Sequence, residues 1–237
     1  MSDDFAPALP HGPITEPFPD VFVVRGSFDM APLVRIGRNM IVLRRGGELT
    51  IVNSVRLTPE GEEALEALGE VKHVVRIGAF HGVDDPWYRH RYGATYWAQD
   101  GQRGPSPDEL LSGGAHPFGE GASVFEFQDT RHPEAAVVLP AQELLLTCDA
   151  VQNIVKSEGA SLMAKIAVPF LGLKRPSGVG KPWRKAMEDR NGPTLEADFE
   201  RLLAEDWRHL ISAHGPPGRD SAKQALRATL RKVYGGA

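Results

Sequence analysis

Two apolar strands in this chain each run into a single residue able to hold a cation. Leu144-Leu145-Leu146-Thr147-Cys148 leads into Asp149, and Leu210-Ile211-Ser212-Ala213 leads into His214. Two further histidines stand at comparable places: His81, just after the run Val71 to Ile77, and His132, just before Ala135-Ala136-Val137-Val138-Leu139. A strand that ends in one polar side chain delivers it to the rim of a sheet, where loops gather and sites form. Imidazole and carboxylate together suit zinc, iron or manganese. The chemistry expected of such a cluster is metal binding.

Each residue also has a plainer reading. Asp149 before Ala150-Val151 could cap a helix, His214 before Gly-Pro-Pro could merely end a strand, and His81 could be an ordinary loop residue. Their common order along the chain favours a joint role. His11, His73, His90 and His209 occupy no matching position, while His116 lies in a loop that could fold over a site. Cys148 has no base beside it in sequence and reads as a small buried residue rather than a nucleophile. Gly178-Val179-Gly180-Lys181 is not a phosphate loop, because Pro182 replaces the required Ser or Thr. With Lys174, Arg175, Arg184 and Lys185 it could line an anionic pocket, although a solvated basic face is the simpler reading. Trp87, Tyr88, Tyr96 and Trp97 read as core or pocket-wall aromatics.

The elements that must position these residues are legible in outline. Residues 1–19 form an extended lead-in. Strands follow at 21–25, 33–36, 39–43 and 49–52, with Gly46-Gly47 as a hairpin signal. Thr58-Pro59 opens a short helix as cap and first residue. The strand 71–77, a helix opened by Asp85-Pro86 and the strand 95–98 form a βαβ unit. A long loop is expected over 99–121, then strands at 123–127, 135–139 and 143–147. Residues 157–193, with an apolar helix through Leu162, Ile166 and Phe170, read as an insertion or lid. Helices at 195–204 and 221–234 flank the strand before His214. One α/β domain with helices outside two sheets fits this order.

Composition limits the function. The chain has 237 residues, is 41% apolar and carries a formal charge of -4, which argues against binding nucleic acid by bulk electrostatics. No apolar run reaches the roughly 20 residues that span a bilayer. A single cysteine fits a reducing cytoplasm. The expectation from composition is a cytoplasmic protein without nucleic-acid or membrane partners; the oligomeric state is left open.

These residues resemble the metallo-β-lactamase fold superfamily from about Asp20 to Tyr234. Val21 to Ser54 is similar to its first strands, Leu145-Leu146-Thr147-Cys148-Asp149-Ala150 to its LLxxDA strand, and Ser212-Ala213-His214-Gly215-Pro216 to its last ligand loop. His132 matches the histidine that precedes a strand. The departure falls in the His-x-His-x-Asp-His signature: Ala79-Phe80-His81-Gly82-Val83-Asp84 keeps only the second histidine, and Asn53-Ser54 replaces an Asp. The resemblance implies a four-layer αββα sandwich and a metal site drawn from His81, Asp84, His132, Asp149 and His214. Zinc is implied first, with iron or manganese as alternatives, and one ion rather than two. It implies a hydrolase acting on a small-molecule substrate, in which metal-activated water attacks an ester, thioester, amide or phosphoester, with Asp84 or Asp85 steering that water or shuttling a proton. The other reading is a non-catalytic binding or assembly protein of the same fold.

Overall fold

Strands with no polar face need cover on both sides, and the folded chain supplies it. The computed structural model describes residues 5–156, 160–164, 166, 174–189 and 191–235. One sheet has seven strands in chain order: β1 (Thr15–Phe18), β2 (Val21–Ala31), β3 (Val34–Arg45), β4 (Glu48–Val52), β5 (Glu70–Arg76), β6 (Thr95–Ala98) and β7 (Glu109–Leu110). The second sheet has four, β8 (Ser123–Glu126), β9 (Ala135–Leu139), β10 (Leu144–Thr147) and β11 (His209–Ser212), in the order β11-β10-β9-β8.

Three apolar clusters define four layers. Val23, Ile41, Val52 and Val75 of the first sheet meet Val137, Leu144, Leu146 and Ile211 of the second. Leu65 of helix α1 (Pro59–Glu66) and Tyr88 of α2 (Asp85–Tyr92) pack on the outer face of the first sheet, against Met40, Val42, Val74 and Tyr96. Trp183 of α3 (Lys181–Met187), Phe199 of α4 (Glu196–Ala204) and Leu226 of α5 (Ala222–Val233) cover the second sheet over Ala136, Val138, Leu145 and Leu210. Successive residues of β9 and β10 thus alternate between two cores, which is why their sequences carry no polar period. The architecture is the expected αββα sandwich.

Several local expectations change. The runs 33–36 and 39–43 belong to one strand, because the ladder continues through Ser27↔Gly37 and Gly26↔Arg38. Thr15–Phe18, within the expected lead-in, pairs antiparallel with β2 as an edge strand, a position that tolerates Pro17. The short β7 interrupts the expected loop 99–121. Thr58 caps α1 as its sequence suggests, its Oγ1 accepting from Gly61 N, whereas α2 begins at Asp85 with Asp84 before it. Of the proposed lid helix, 162–164 and 166 are helical and Leu162 is exposed; Phe170 lies outside the described residues.

Candidate metal centre

The site lies where β4, β5, β10 and β11 end together. β4 and β5 are parallel, as are β10 and β11, so their C-terminal loops share one lip of the sandwich. Backbone bonds stitch the two sheets at that lip: Ala135 N donates to Ile77 O (2.7 Å) and Asn39 N to Ala213 O (2.7 Å). Asn53 adds a side-chain bond from Nδ2 to Thr147 O (3.3 Å), from a left-handed backbone that Asn tolerates.

Across that lip three side chains converge. His81 Nε2 stands 3.3 Å from His214 Nε2 and 3.5 Å from Asp149 Oδ2. His214 Nε2 is 3.2 Å from Asp149 Oδ1. Nitrogen and oxygen donors about 2.0–2.1 Å from a tetrahedral zinc stand roughly 3.3 Å apart. The His81–His214 separation matches such an edge, and each imidazole has its own oxygen of the Asp149 carboxylate at a similar distance, so this donor set fits a cation. His81, Cys148 and Asp149 also offer ligand atoms within 4.8 Å of one another, which puts the thiol at the floor of the cluster. The side chains of His81, Asp149 and His214 are 10%, 11% and 10% exposed.

The loops holding these residues are tightly specified. Gly78 precedes the His81 loop, and a Cβ there would lie 2.3 Å from Cys148 Sγ. Gly215 has φ +88° and a Cβ there would meet Asn153 O at 1.9 Å, so the turn after His214 accepts only glycine. His214 Nδ1 lies 2.7 Å from Gly37 O. A carbonyl can only accept, so Nδ1 carries the proton and Nε2 faces the cluster. That second-partner arrangement fixes a metal-ligating imidazole.

The charges respond as a unit. Burial would lower the His214 pKa, but the hydrogen bond and charge of Asp149 and the Gly37 carbonyl raise it above its usual value. Burial would raise Asp149, yet the charge of His81 and the His214 hydrogen bond hold it well below the carboxylate range. Behind them Glu134 is fully buried, pushed up to about 8 by burial and the nearby Asp149 charge. Its Oε1 accepts from Asp149 N and Ala150 N (both 3.2 Å) and its Oε2 from Ala79 N (3.2 Å). Glu134 thereby ties the His81 loop to the end of β10. Burial and the Asp149 charge raise the Cys148 thiol well above its ordinary value.

No protein-family model matches the sequence, and no curated protein does. Solved structures do. DIM-1 metallo-beta-lactamase aligns with TM-score 0.67 and 13% identity, over 96% of this chain and 99% of that one. FIM-1 from Pseudomonas aeruginosa, a metallo-beta-lactamase in its mono-zinc form, gives 0.62 and 14%, covering 95% and 97%. A metallo beta lactamase from Erythrobacter litoralis gives 0.57 and 14%, covering 91% of each chain. The chain has the metallo-β-lactamase fold.

Within the metallo-β-lactamase fold this chain assembles His81, Asp149 and His214, and places the other expected site residues elsewhere. His132 turns outward: its Nε2 is 3.3 Å from Arg103 Nη2 and its ring stands edge-on to Phe80. Burial and the charges of Arg103 and Arg131 lower its pKa. Asp84, expected as a ligand and proton carrier, is taken by an ion pair with Arg38 and accepts from Arg56 N (2.9 Å). Asp85 accepts from Ser54 Oγ (2.5 Å); burial raises its pKa against that bond and the nearby Arg76. Asp149 caps no helix, since residues 150–153 are not helical. Sequence reasoning passed over Glu134 and Arg38. A glutamate opening an otherwise apolar strand was the available signal for Glu134; Arg38 gave none.

No helix among the described residues is long and apolar enough to cross a membrane.

Proposed function

We propose that this chain is a metal-dependent hydrolase of small-molecule esters, thioesters, amides or phosphoesters, holding one zinc ion through His81, Asp149 and His214. The observation that carries this reading is the convergence of the two Nε2 atoms, 3.3 Å apart, on the Asp149 carboxylate, His214 at 3.2 Å from Oδ1 and His81 at 3.5 Å from Oδ2. Two imidazoles and one carboxylate leave a coordination position open, the pattern of catalytic rather than structural zinc, and the same set can take iron. Held by His81, Asp149 and His214, a zinc ion would supply Lewis acidity toward a substrate oxygen and lower the pKa of a bound water to about 7. The chain's own part is orientation. Gly37 O fixes the His214 tautomer, Glu134 sets Asp149 against the His81 loop, and the thiol of Cys148 closes the floor. Asp84 and Asp85 are engaged by Arg38 and Ser54, so neither is assigned a proton-transfer role.

A second reading, a non-catalytic binding or assembly protein of the same fold, is favoured by Ala79 and Val83 at the signature positions and by the outward His132. Metal analysis of protein purified without chelator, followed by hydrolysis assays on nitrophenyl acetate, a thioester, bis-nitrophenyl phosphate and a chromogenic lactam, separates the two. One equivalent of metal with turnover that disappears in Asp149→Ala supports the hydrolase. Metal without turnover on any of these supports the second reading, and absence of metal uptake sinks the assignment of the centre.

A further inference from the structure

Three consecutive residues of β3 reach both loops that carry the site's histidines. Gly37 O receives His214 Nδ1 at 2.7 Å. Asn39 donates its backbone N to Ala213 O and its Nδ2 to Ser212 O (2.8 Å) and Gly215 O (2.6 Å), bracketing His214 on either side. Between them, Arg38 turns to the opposite face of the strand and pairs through Nη2 with Asp84, three residues beyond His81. Both partners are buried, their side chains 9% and 3% exposed. Arg38 Nε is buried without a hydrogen-bond partner, and its guanidinium lies over the Phe28 ring, 5.4 Å from the centroid.

Such a pair is costly to hold out of water; replacing both partners by uncharged groups is often neutral for stability, whereas removing one leaves a buried unpaired charge and is strongly destabilising. We propose that Arg38 is a positioning residue for the metal centre. Through Asp84 it fixes the His81 loop against the same strand that fixes His214, so the two Nε2 atoms are presented at one spacing before any ion arrives. The proposal rests on reading His81, Asp149 and His214 as a metal site, and it concerns residues that touch no ion themselves. Its consequence is separable from folding: the pair sets how well the donors are pre-arranged, and therefore affinity and ligand geometry.

The experiment is zinc competition against a chromophoric chelator, with cobalt(II) absorption as the geometric readout. It compares the wild-type chain with Arg38→Met, Arg38→Lys, Asp84→Asn and Arg38→Met/Asp84→Asn. Outer partners of metal ligands typically change affinity about 10–100-fold. The expected result is a loss of that size in Arg38→Met and Asp84→Asn, no further loss in the double variant, and partial recovery in Arg38→Lys. The visible cobalt band should change shape in the same variants; the metal-free melting temperature should fall in Arg38→Met and Asp84→Asn, each of which leaves a buried unpaired charge, and return toward wild type in the double variant, where the loss of affinity should persist. Wild-type affinity and spectrum in every variant overturns the proposal. So does a loss of affinity that disappears in the double variant as its metal-free melting temperature recovers. If either single variant does not fold, Arg38→Met/Asp84→Asn, which leaves no unpaired charge, decides the matter alone. A wild-type chain that takes up no zinc removes the metal centre itself, a result distinct from unchanged variants of a chain that binds.

Discussion

His214 and His132 occupy equivalent places in the sequence, each beside an apolar strand, and the folded molecule treats them in opposite ways. His214 is 8% exposed, its Nδ1 is held by a carbonyl from another strand and its Nε2 meets Asp149 and His81. His132 stands at the rim between Arg103 and the edge of Phe80. The difference lies in what holds the second ring nitrogen. A carbonyl acceptor drawn from β3 commits His214 to presenting a lone pair inward. An arginine beside His132 offers only positive charge, which disfavours both a proton and a cation there.

The largest effect expected of that contrast is loss of metal uptake. Asp149→Ala and His214→Ala should each abolish stoichiometric zinc binding, measured by elemental analysis after gel filtration. Asp149→Ala should cost more, since it leaves two histidines facing each other across 3.3 Å with no carboxylate between them. Retention of a full equivalent in either variant would break the comparison at its stronger end.

Next comes Glu134, behind the three converging side chains. Glu134→Ala leaves three buried N–H groups without an acceptor, those of Ala79, Asp149 and Ala150. An unsatisfied buried donor costs about 1–3 kcal/mol, so this substitution should lower stability by several kcal/mol, read from denaturant midpoints. Zinc affinity should fall with it. A midpoint unchanged from wild type would show that the three bonds contribute nothing net.

The pH dependence sharpens the contrast by sign. His214 in the folded, metal-free chain titrates above its ordinary 6.5, and Asp149 below its ordinary 3.8. The Asp149 contribution to stability is present above that ordinary carboxylate value and is lost as pH falls through its depressed folded value. The His214 contribution is complete below 6.5 and is lost as pH rises through its elevated folded value. Glu134, raised to about 8 from 4.5, acts like His214: its contribution is complete below 4.5 and lost as pH rises through about 8. Metal-free stability should thus decline on the alkaline side. Zinc affinity should rise over the same interval, because a ligating imidazole must first lose its Nε2 proton. Calorimetry in buffers of different ionisation enthalpy should detect proton release on zinc binding near neutral pH, and release close to zero there would contradict the His214–Asp149 coupling.

How much of this could be read from residues alone follows from what each signal encodes. The order of strands and helices pointed to two covered sheets and the family resemblance implied the four layers; the unbroken apolar runs of β9 and β10 agree with this, since those strands alternate between two cores. Asp149, His214 and His81 were legible because a polar residue after such a run has no room inside the sheet. Asp84 misled because its neighbour in sequence is His81, while its partner Arg38 lies 46 residues earlier in the chain and faces it only after β3 crosses the lip. Glu134 was hidden by its type: a glutamate reads as surface, and only three converging backbone N–H groups make its burial tolerable.

The smallest effect is the most discriminating, because it concerns a residue whose sequence position argues for function. His132→Ala removes a partly exposed ring that touches Arg103 and Phe80 and has no hydrogen bond to the converging trio. Surface substitutions of this kind usually change stability by no more than about 0.5 kcal/mol. Zinc affinity should stay within about two-fold of wild type, a change under the 1.4 kcal/mol that makes a factor of ten. A ten-fold loss of affinity in His132→Ala, with the fold intact by dichroism, would mean that the loop carrying His132 swings inward when metal arrives. The rim would then have to be redrawn as a fourth arm of the centre, and the contrast with His214 would become one between a ligand fixed in advance and a ligand recruited by the ion.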